Sequence, residues 1–180
     1  PEELRSRATA VIGNFPVSQV SQYTRLEWLQ TFSAGVDAYI CRVCCLAAPW
    51  SPMRAARMAK ACRNTCSPPM WALMKNLNRY ASNQRDHQWQ DEGPVLSPEG
   101  GIALIIGVGD IGSHFAQLAQ SVGMRTFGVR RHADVPAKGI EKMYGFERLE
   151  TLLPLADVVA MAVPRSPQTH HLLNADRLVV

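Results

Sequence analysis

Outside residues 41–66 this chain of 180 residues has no cysteine, which argues against a disulfide framework for most of its length. No apolar run approaches the ~20 residues that a membrane-spanning helix needs, and the start PEELRSRATA has no basic segment followed by an apolar one. Neither membrane insertion nor secretion is expected. Charged residues are few, 19 % against 47 % apolar, a balance that excludes a disordered or collagen-like chain and leaves a globular one. Acidic residues are missing altogether between Cys41 and Met70, where Arg42, Arg54, Arg57, Lys60 and Arg63 stand. These cations account for the whole net charge of +4, so the remainder of the chain is close to neutral and gives no reason to expect a nucleic-acid partner.

The same stretch holds all five cysteines (Cys41, Cys44, Cys45, Cys62 and Cys66) together with Pro49, Pro52, Pro68 and Pro69, and it has no glycine. Cys41-x-x-Cys44 with Cys62-x-x-x-Cys66 has the outline of two thiolate pairs closing on zinc, but the turn glycines are missing and Cys45 is left over. The odd count also speaks against disulfides. A slip of reading frame accounts for the segment better than a real insert. If each codon is rebuilt from the third base of one residue and the first two of the next, Trp50 to Pro68 can read V-T-N-A-S-G-A-Y-G-K-S-M-S-E-H-M-L-A, with turn glycines followed by a helix-like run. As printed, residues 41–69 carry no clean apolar period, so poor packing is expected there, and Pro68-Pro69 is expected to bar a helix running on into Trp71.

Before that segment, Ala8 to Phe15 reads as a short strand ended by Pro16, Val17 to Tyr23 as a short helix, and Leu26 to Phe32 as a strand of period two, with a turn at Ser33-Ala34-Gly35. After it, Met70, Leu73, Met74, Leu77, Tyr80 and Ala81 recur at helical spacing and predict one amphipathic helix to about Trp89. Asp91 to Gly101, rich in glycine and proline, reads as a linker. Beyond it the β-α-β rhythm is clear. Ile102 to Ile106 and Ala156 to Val163 are continuous apolar runs, the pattern of strands buried on both faces of a parallel sheet, and Arg125 to Val129 is a further strand. Phe115, Leu118, Ala119 and Val122 mark a helix that Gly123 ends in the position of a C′ glycine.

Between the strand at Ile102–Ile106 and that helix lies Gly107-Val108-Gly109-Asp110-Ile111-Gly112, a G-x-G-x-x-G in the strand-loop-helix context that dinucleotide binding requires. Gly107 suits the tight turn, Gly109 a close backbone approach to a pyrophosphate, and Gly112 close packing of helix on strand. Eighteen residues after Gly112, where an acidic residue would hold the adenosine ribose, stand Arg130 and Arg131. A guanidinium there can pair with a 2′-phosphate, so NADP(H) is favoured, with NAD(H) possible. His132 beside them reads as a surface residue that could stack on adenine.

The segments LEWLQTFSAGVD, ALMKNLNRYASNQRDHQW, GIALIIGVGDIG and DVVAMAVPRSPQTHHLLN, in this order, resemble the D-isomer-specific 2-hydroxyacid dehydrogenases, above all their glyoxylate/hydroxypyruvate reductase-like members. The resemblance spans nearly all of the chain except residues 41–70, and the shifted reading of that segment is similar to what the family carries there. It implies that backbone amides of Ala34 and Gly35 hold a substrate carboxylate, that Asp110 and Ile111 lie against the pyrophosphate, and that Val163, Pro164 and Thr169 line the cofactor. His170 and His171 match no catalytic position. The family's catalytic arginine, glutamate and histidine are expected beyond Val180, so no catalytic residue and no metal ligand is assigned within the chain. The fold implied is α/β. Part of a flavodoxin-like substrate domain over 1–90, including the aberrant segment 41–69 and a connecting helix over 70–89, precedes a C-terminally truncated Rossmann domain over 91–180 with a doubly wound parallel sheet. The complete protein is expected to be a cytoplasmic homodimer that reduces a small 2-oxo acid to the 2-hydroxy acid, with no nucleic-acid or membrane partner, and the chain alone is expected to bind cofactor without turnover. The alternatives are a non-catalytic dinucleotide-binding regulatory protein and a Cys-rich zinc module.

Overall fold

The computed structural model describes residues 2–31, 39 and 64–179, which fall into two compact units. The first comprises residues 1–60 with 164–170, and the second 61–163 with 171–180. The zinc outline at Cys41, Cys44 and Cys62, and all of the expected frame slip up to residue 63, lie outside the described residues.

In the first unit, α1 (Glu2–Arg7) leads into β1 (Ala10–Ile12), a 3-10 turn over Val17–Gln22, and β2 (Trp28–Gln30). The two strands pair in parallel, Ala10 opposite Trp28 and Ile12 opposite Gln30. Both are shorter than the apolar patterns suggest. Their core is Val20, Leu26, Leu29 and Tyr39, with Phe15 and Tyr23 partly buried against it. The Tyr39 hydroxyl is satisfied on both sides, donating to the Phe15 carbonyl at 2.6 Å and accepting from the Phe15 amide at 3.2 Å.

In the second unit helix α2 (Ser67–Met74) begins at the proline pair and no helix runs into it from Asn64–Cys66; prolines in a first turn lack only amides that would have no helical partner. The single helix predicted to Trp89 is two helices, α2 and α3 (Leu77–Arg85), separated by Asn76 in the left-handed region at φ 51°. Asparagine tolerates that conformation, and here its side-chain amide also donates to the carbonyls of Glu92 and Pro94 at 3.3 and 3.4 Å, tying the linker to the break. The expected apolar stripe is not one buried face, since within α2 itself Leu73 is exposed and the break falls before Leu77. Met70 and Met74 are buried, whereas Leu73 and Leu77 are 72 % and 51 % exposed.

The sheet of this unit is all parallel, in the order β5 (Lys142–Tyr144), β4 (Arg125–Val129), β3 (Ile102–Ile106), β6 (Val158–Met161). That is the first half of the doubly wound order, with β3 first in sequence, β4 and β5 added on one side, and the chain crossing to β6 on the other. Residues of β3 alternate between two cores. Ala103 and Ile105 pack with Met70, Met74, Phe115, Ala116 and Ala119. Leu104 and Ile106 pack with Phe127, Val129, Leu149 and Leu152. Helix α4 (Asp110–Ser121) therefore covers one face and α5 (Leu149–Leu152) the other. The C′ residue of α4 is Gly123, at φ 86°, its amide on the Gln120 carbonyl at 3.0 Å. The run at 156–163 departs from the buried strand expected of it. β6 is an edge of this sheet, and Val159 and Met161 are 39 % and 51 % exposed. β5 was not foreseen, since three residues with one lysine carry no period of their own.

Candidate functional site

The loop after β3 sits where the strand order reverses. The Gly107 amide donates to the Val129 carbonyl at the end of β4, and on the other side the Ala162 amide donates to the Ile106 carbonyl, both at 2.8 Å. Gly107 has φ 94°, and a Cβ there would lie 2.5 Å from the Ala162 carbonyl oxygen and 2.7 Å from a Val163 methyl. A side chain is thus excluded twice, by conformation and by the end of β6. At Gly112, in the first turn of α4, a Cβ would run into the Gly107 carbonyl oxygen and come within 3.0 Å of an Ile105 methyl. Gly109 differs from both. It is the exposed N-cap residue of α4, and a Cβ there would meet nothing within 4 Å.

Two of the glycines are therefore demanded by the protein itself, while the third keeps open the space in front of a helix N-terminus. The first amides of a helix have no intrahelical acceptor and carry the positive end of its dipole, a ready seat for an anion such as a pyrophosphate. The N-cap residue, Gly109, brings no side chain to the N-terminus of α4. Asp110 is its first residue and is exposed, and Ile111 is half-buried beside it.

Arg130 follows β4 directly and is half-buried. Its guanidinium donates to three backbone carbonyls: Nε to His132 at 2.9 Å, one Nη to Val108 at 3.4 Å, and the other Nη to Val135. Its own amide donates to the Tyr144 carbonyl at 3.1 Å. Arg131 is exposed and has no hydrogen bond or ion pair among the described residues. Two residues that the sequence did not single out complete this corner. Val108, the second residue of the loop, is buried, and a Cβ at Gly128 of β4 would lie 2.7 Å from one of its methyls. A glycine inside an otherwise apolar strand was the available signal, since it marks a place where something approaches closely.

Val163 is the one residue of the expected cofactor lining beyond β6 that is placed against the glycine loop within this unit. Pro164 and Thr169 belong to the segment grouped with the first unit, where they share a turn. The Thr169 hydroxyl donates to the Pro164 carbonyl at 2.6 Å and accepts from the Ser166 amide at 2.8 Å, while the Thr169 amide reaches the Ser166 hydroxyl at 3.2 Å. Ser166, not foreseen, closes that turn reciprocally. Ala34 and Gly35 lie outside the described residues.

Ionisable groups with a resolved perturbation stand apart from the glycines. Arg125 and Glu141 form a two-pronged pair, at 2.9 and 3.2 Å, joining the start of β4 to the approach to β5. The pair's hydrogen bonding lowers the Glu141 pKa and raises that of Arg125. Burial pushes the Cys66 thiol up, which disfavours its thiolate. Among the described residues no group of three His, Cys, Asp or Glu side chains is placed to hold a metal, and no helix is long and apolar enough to cross a membrane. A hollow along α3, lined by Tyr80, Asn83, Gln84 and Trp89 among others, includes none of the expected site residues.

Known proteins agree with this architecture. The chain is 28 % identical over 116 residues to a glycerate dehydrogenase from Methylorubrum extorquens, a match covering 61 % of the chain and 34 % of that protein. It is 27 % identical over 159 residues to a D-lactate dehydrogenase from Treponema pallidum, covering 84 % of the chain and 45 % of the relative. The crystal structure of a D-isomer specific 2-hydroxyacid dehydrogenase family protein from Aeromonas salmonicida superposes with a TM-score of 0.80 at 27 % identity, over 98 % of this chain and 56 % of that one. The chain thus spans less than half the length of these two curated relatives. Residues 69–179, more than half of the chain, match the NAD binding domain of one family, and the sheet order and the glycine loop lie within them. This chain belongs to the D-isomer specific 2-hydroxyacid dehydrogenases and carries their NAD-binding domain.

Proposed function

We propose that this chain supplies the cofactor half of an NADP(H)-preferring oxidoreductase that interconverts small 2-oxo and 2-hydroxy acids of the glyoxylate and hydroxypyruvate class. The observation that carries the reading is the open space at Gly109, the N-cap residue of α4, with two arginines and no carboxylate at the end of β4. A pyrophosphate would sit against the α4 amides, flanked by Asp110 and Ile111, with the end of β6 at Val163 as one wall. Pro164 and Thr169 are proposed for the nicotinamide side on resemblance alone. The Arg130-Arg131 pair supplies the positive charge for a 2′-phosphate in place of the acidic residue that favours a ribose hydroxyl.

When bound, the nicotinamide supplies a hydride to the 2-oxo carbon. The chain's own part is to fix the dinucleotide and, through the amides proposed at Ala34 and Gly35, to hold the substrate carboxylate. A positioned acid must also give a proton to the carbonyl oxygen, a contribution of roughly 10²–10⁴-fold. No residue within 1–180 is assigned that role. The related glycerate dehydrogenase bears on the substrate, because glycerate is the 2-hydroxy acid formed when hydroxypyruvate is reduced. The substrate and nucleotide domains are proposed to divide at 90/91, and homodimerisation and a cytoplasmic location accompany this reading for the whole protein.

Titration with NADPH and NADH tests the binding, and oxidation of NADPH with glyoxylate or hydroxypyruvate tests the chemistry. Tighter binding of NADPH and no turnover above the buffer rate are expected. NADH binding as tightly would overturn the preference. Turnover by the chain would mean that a side chain within it, such as His87 or His114, supplies the acid.

A further inference from the structure

We propose that Arg130 is a positioning residue that joins the glycine loop to the turn after β4, and that Arg131 is the side chain that selects a 2′-phosphate. The inference rests on the dinucleotide reading above and divides a task which that reading gives to both arginines together.

A guanidinium presents five N–H donors in a fixed plane and has no acceptor, so its usefulness to a ligand depends on which donors remain. Arg130 already directs Nε and both Nη atoms at carbonyls. His132 and Val135 belong to the turn that follows β4, whereas Val108 belongs to the glycine loop. One side chain therefore spans two loops that are 20 residues or more apart in sequence. The Val108 side chain strengthens the join, because it is buried over Gly128, two residues before Arg130. The loop is held at that residue by its side chain on β4 and by its carbonyl on Arg130. If the guanidinium swung out to a phosphate, the exposed His132 and Val135 carbonyls would turn to water, but the part-buried Val108 carbonyl would lose its cationic donor, so leaving it carries a cost. Arg131 meets no such opposition. It is exposed, unpaired among the described residues, and carries its full charge into solvent beside the same turn.

The two arginines should thus fail in different ways. Removing Arg131 removes a charge-assisted contact to the 2′-phosphate, so Arg131→Ala should weaken NADPH by at least about tenfold and leave NADH within about twofold, collapsing the preference. The salt dependence of NADPH binding should flatten in this variant. Removing Arg130 loosens both loops, so Arg130→Ala should weaken the two nucleotides by similar factors and retain their ratio. Arg130→Lys, able to reach one carbonyl but not three, should restore only part of the loss.

Amide hydrogen exchange of the nucleotide-free chain separates this inference from the reading on which it rests. In Arg130→Ala, peptides spanning 107–112 and 130–136 should exchange faster while those from β3 stay protected, and in Arg131→Ala neither should change. If Arg130→Ala abolishes the NADPH preference with NADH unaffected, or leaves exchange in both loops unchanged, the positioning role is wrong. If the unmutated chain binds neither nucleotide, the dinucleotide reading and Arg131's role fall together, and the exchange data alone decide whether Arg130 joins the loops.

Discussion

The two units treat a parallel strand pair in opposite ways. In the second, β3 is flanked on both sides and covered on both faces, and Ala103, Leu104, Ile105 and Ile106 are fully buried. In the first, β1 and β2 are three residues each, Ile12 is 66 % exposed, and the buried cluster among the described residues is Val20, Leu26, Leu29 and Tyr39. Parallel pairs are normally covered by helices, and in the second unit α4 and α5 cover β3 on its two faces. The same contrast holds inside the glycine loop, where Gly107 and Gly112 are required by packing and Gly109 only by what the loop leaves open.

The largest expected effect comes from cutting into the double core. Phe115→Ala should cost about 3–5 kcal/mol, read as a fall in the urea midpoint, because a side chain 1 % exposed leaves a cavity between α4 and the sheet. Leu29→Ala in the first unit, at a side chain 3 % exposed, should cost about 2–5 kcal/mol, the value depending on how far Val20, Leu26 and Tyr39 collapse around the gap. Equal costs would show the first unit to be as tightly packed as the second.

Next come the glycines, compared as a pair. Gly107→Ala forces a left-handed φ on alanine against the Ala162 carbonyl and should cost about 1–3 kcal/mol together with most of the nucleotide affinity. Gly109→Ala meets nothing within 4 Å and should cost only the poorer N-cap, about 0.5–1 kcal/mol, while still weakening NADPH by about tenfold or more through the space it occupies. Stability loss of the same size in both would contradict the distinction drawn between the two positions.

A smaller effect is expected at the Tyr39 hydroxyl in the first unit. Tyr39→Phe removes the hydrogen bond to the Phe15 carbonyl and should cost about 0.5–1.5 kcal/mol by denaturant titration.

The smallest is at the surface of the second unit, where Arg125→Gln should lower stability slightly at pH 7. The Glu141 pKa is lowered in the folded chain, so the pair's contribution is present above the unfolded value of 4.5 and fades as pH falls through the lower folded one. Melting curves of the two proteins should therefore converge in acid. A difference that persists there would assign the effect to the packing of Arg125 over Phe127, 5.3 Å from the ring centroid, in place of charge.

Much of this protein was determined by its sequence alone. The unbroken apolar run at Ile102–Ile106 could be satisfied only by a strand covered on both faces, and Gly107, Gly109 and Gly112 at its end are the residue types that a strand-loop-helix turn over an anion needs. Period and composition are local properties, so they survive reading without coordinates. What tertiary structure decided is everything that depends on neighbours distant in the chain. Met70, Leu73, Met74 and Leu77 share one apolar period, yet only Met70 and Met74 are turned to the core, and Asn76 ends the period by breaking the helix before Leu77. Exposure alternates along β6, with Val158 and Ala160 packed and Val159 and Met161 on the face left open, so which half of the strand is buried depended on the elements packed against it. Arg130 and Arg131 are the same residue in sequence, and only the carbonyls of Val108, His132 and Val135 distinguish them. A side chain's type is written in the chain, but which of its donors remain for a ligand depends on the partners that folding brings to it.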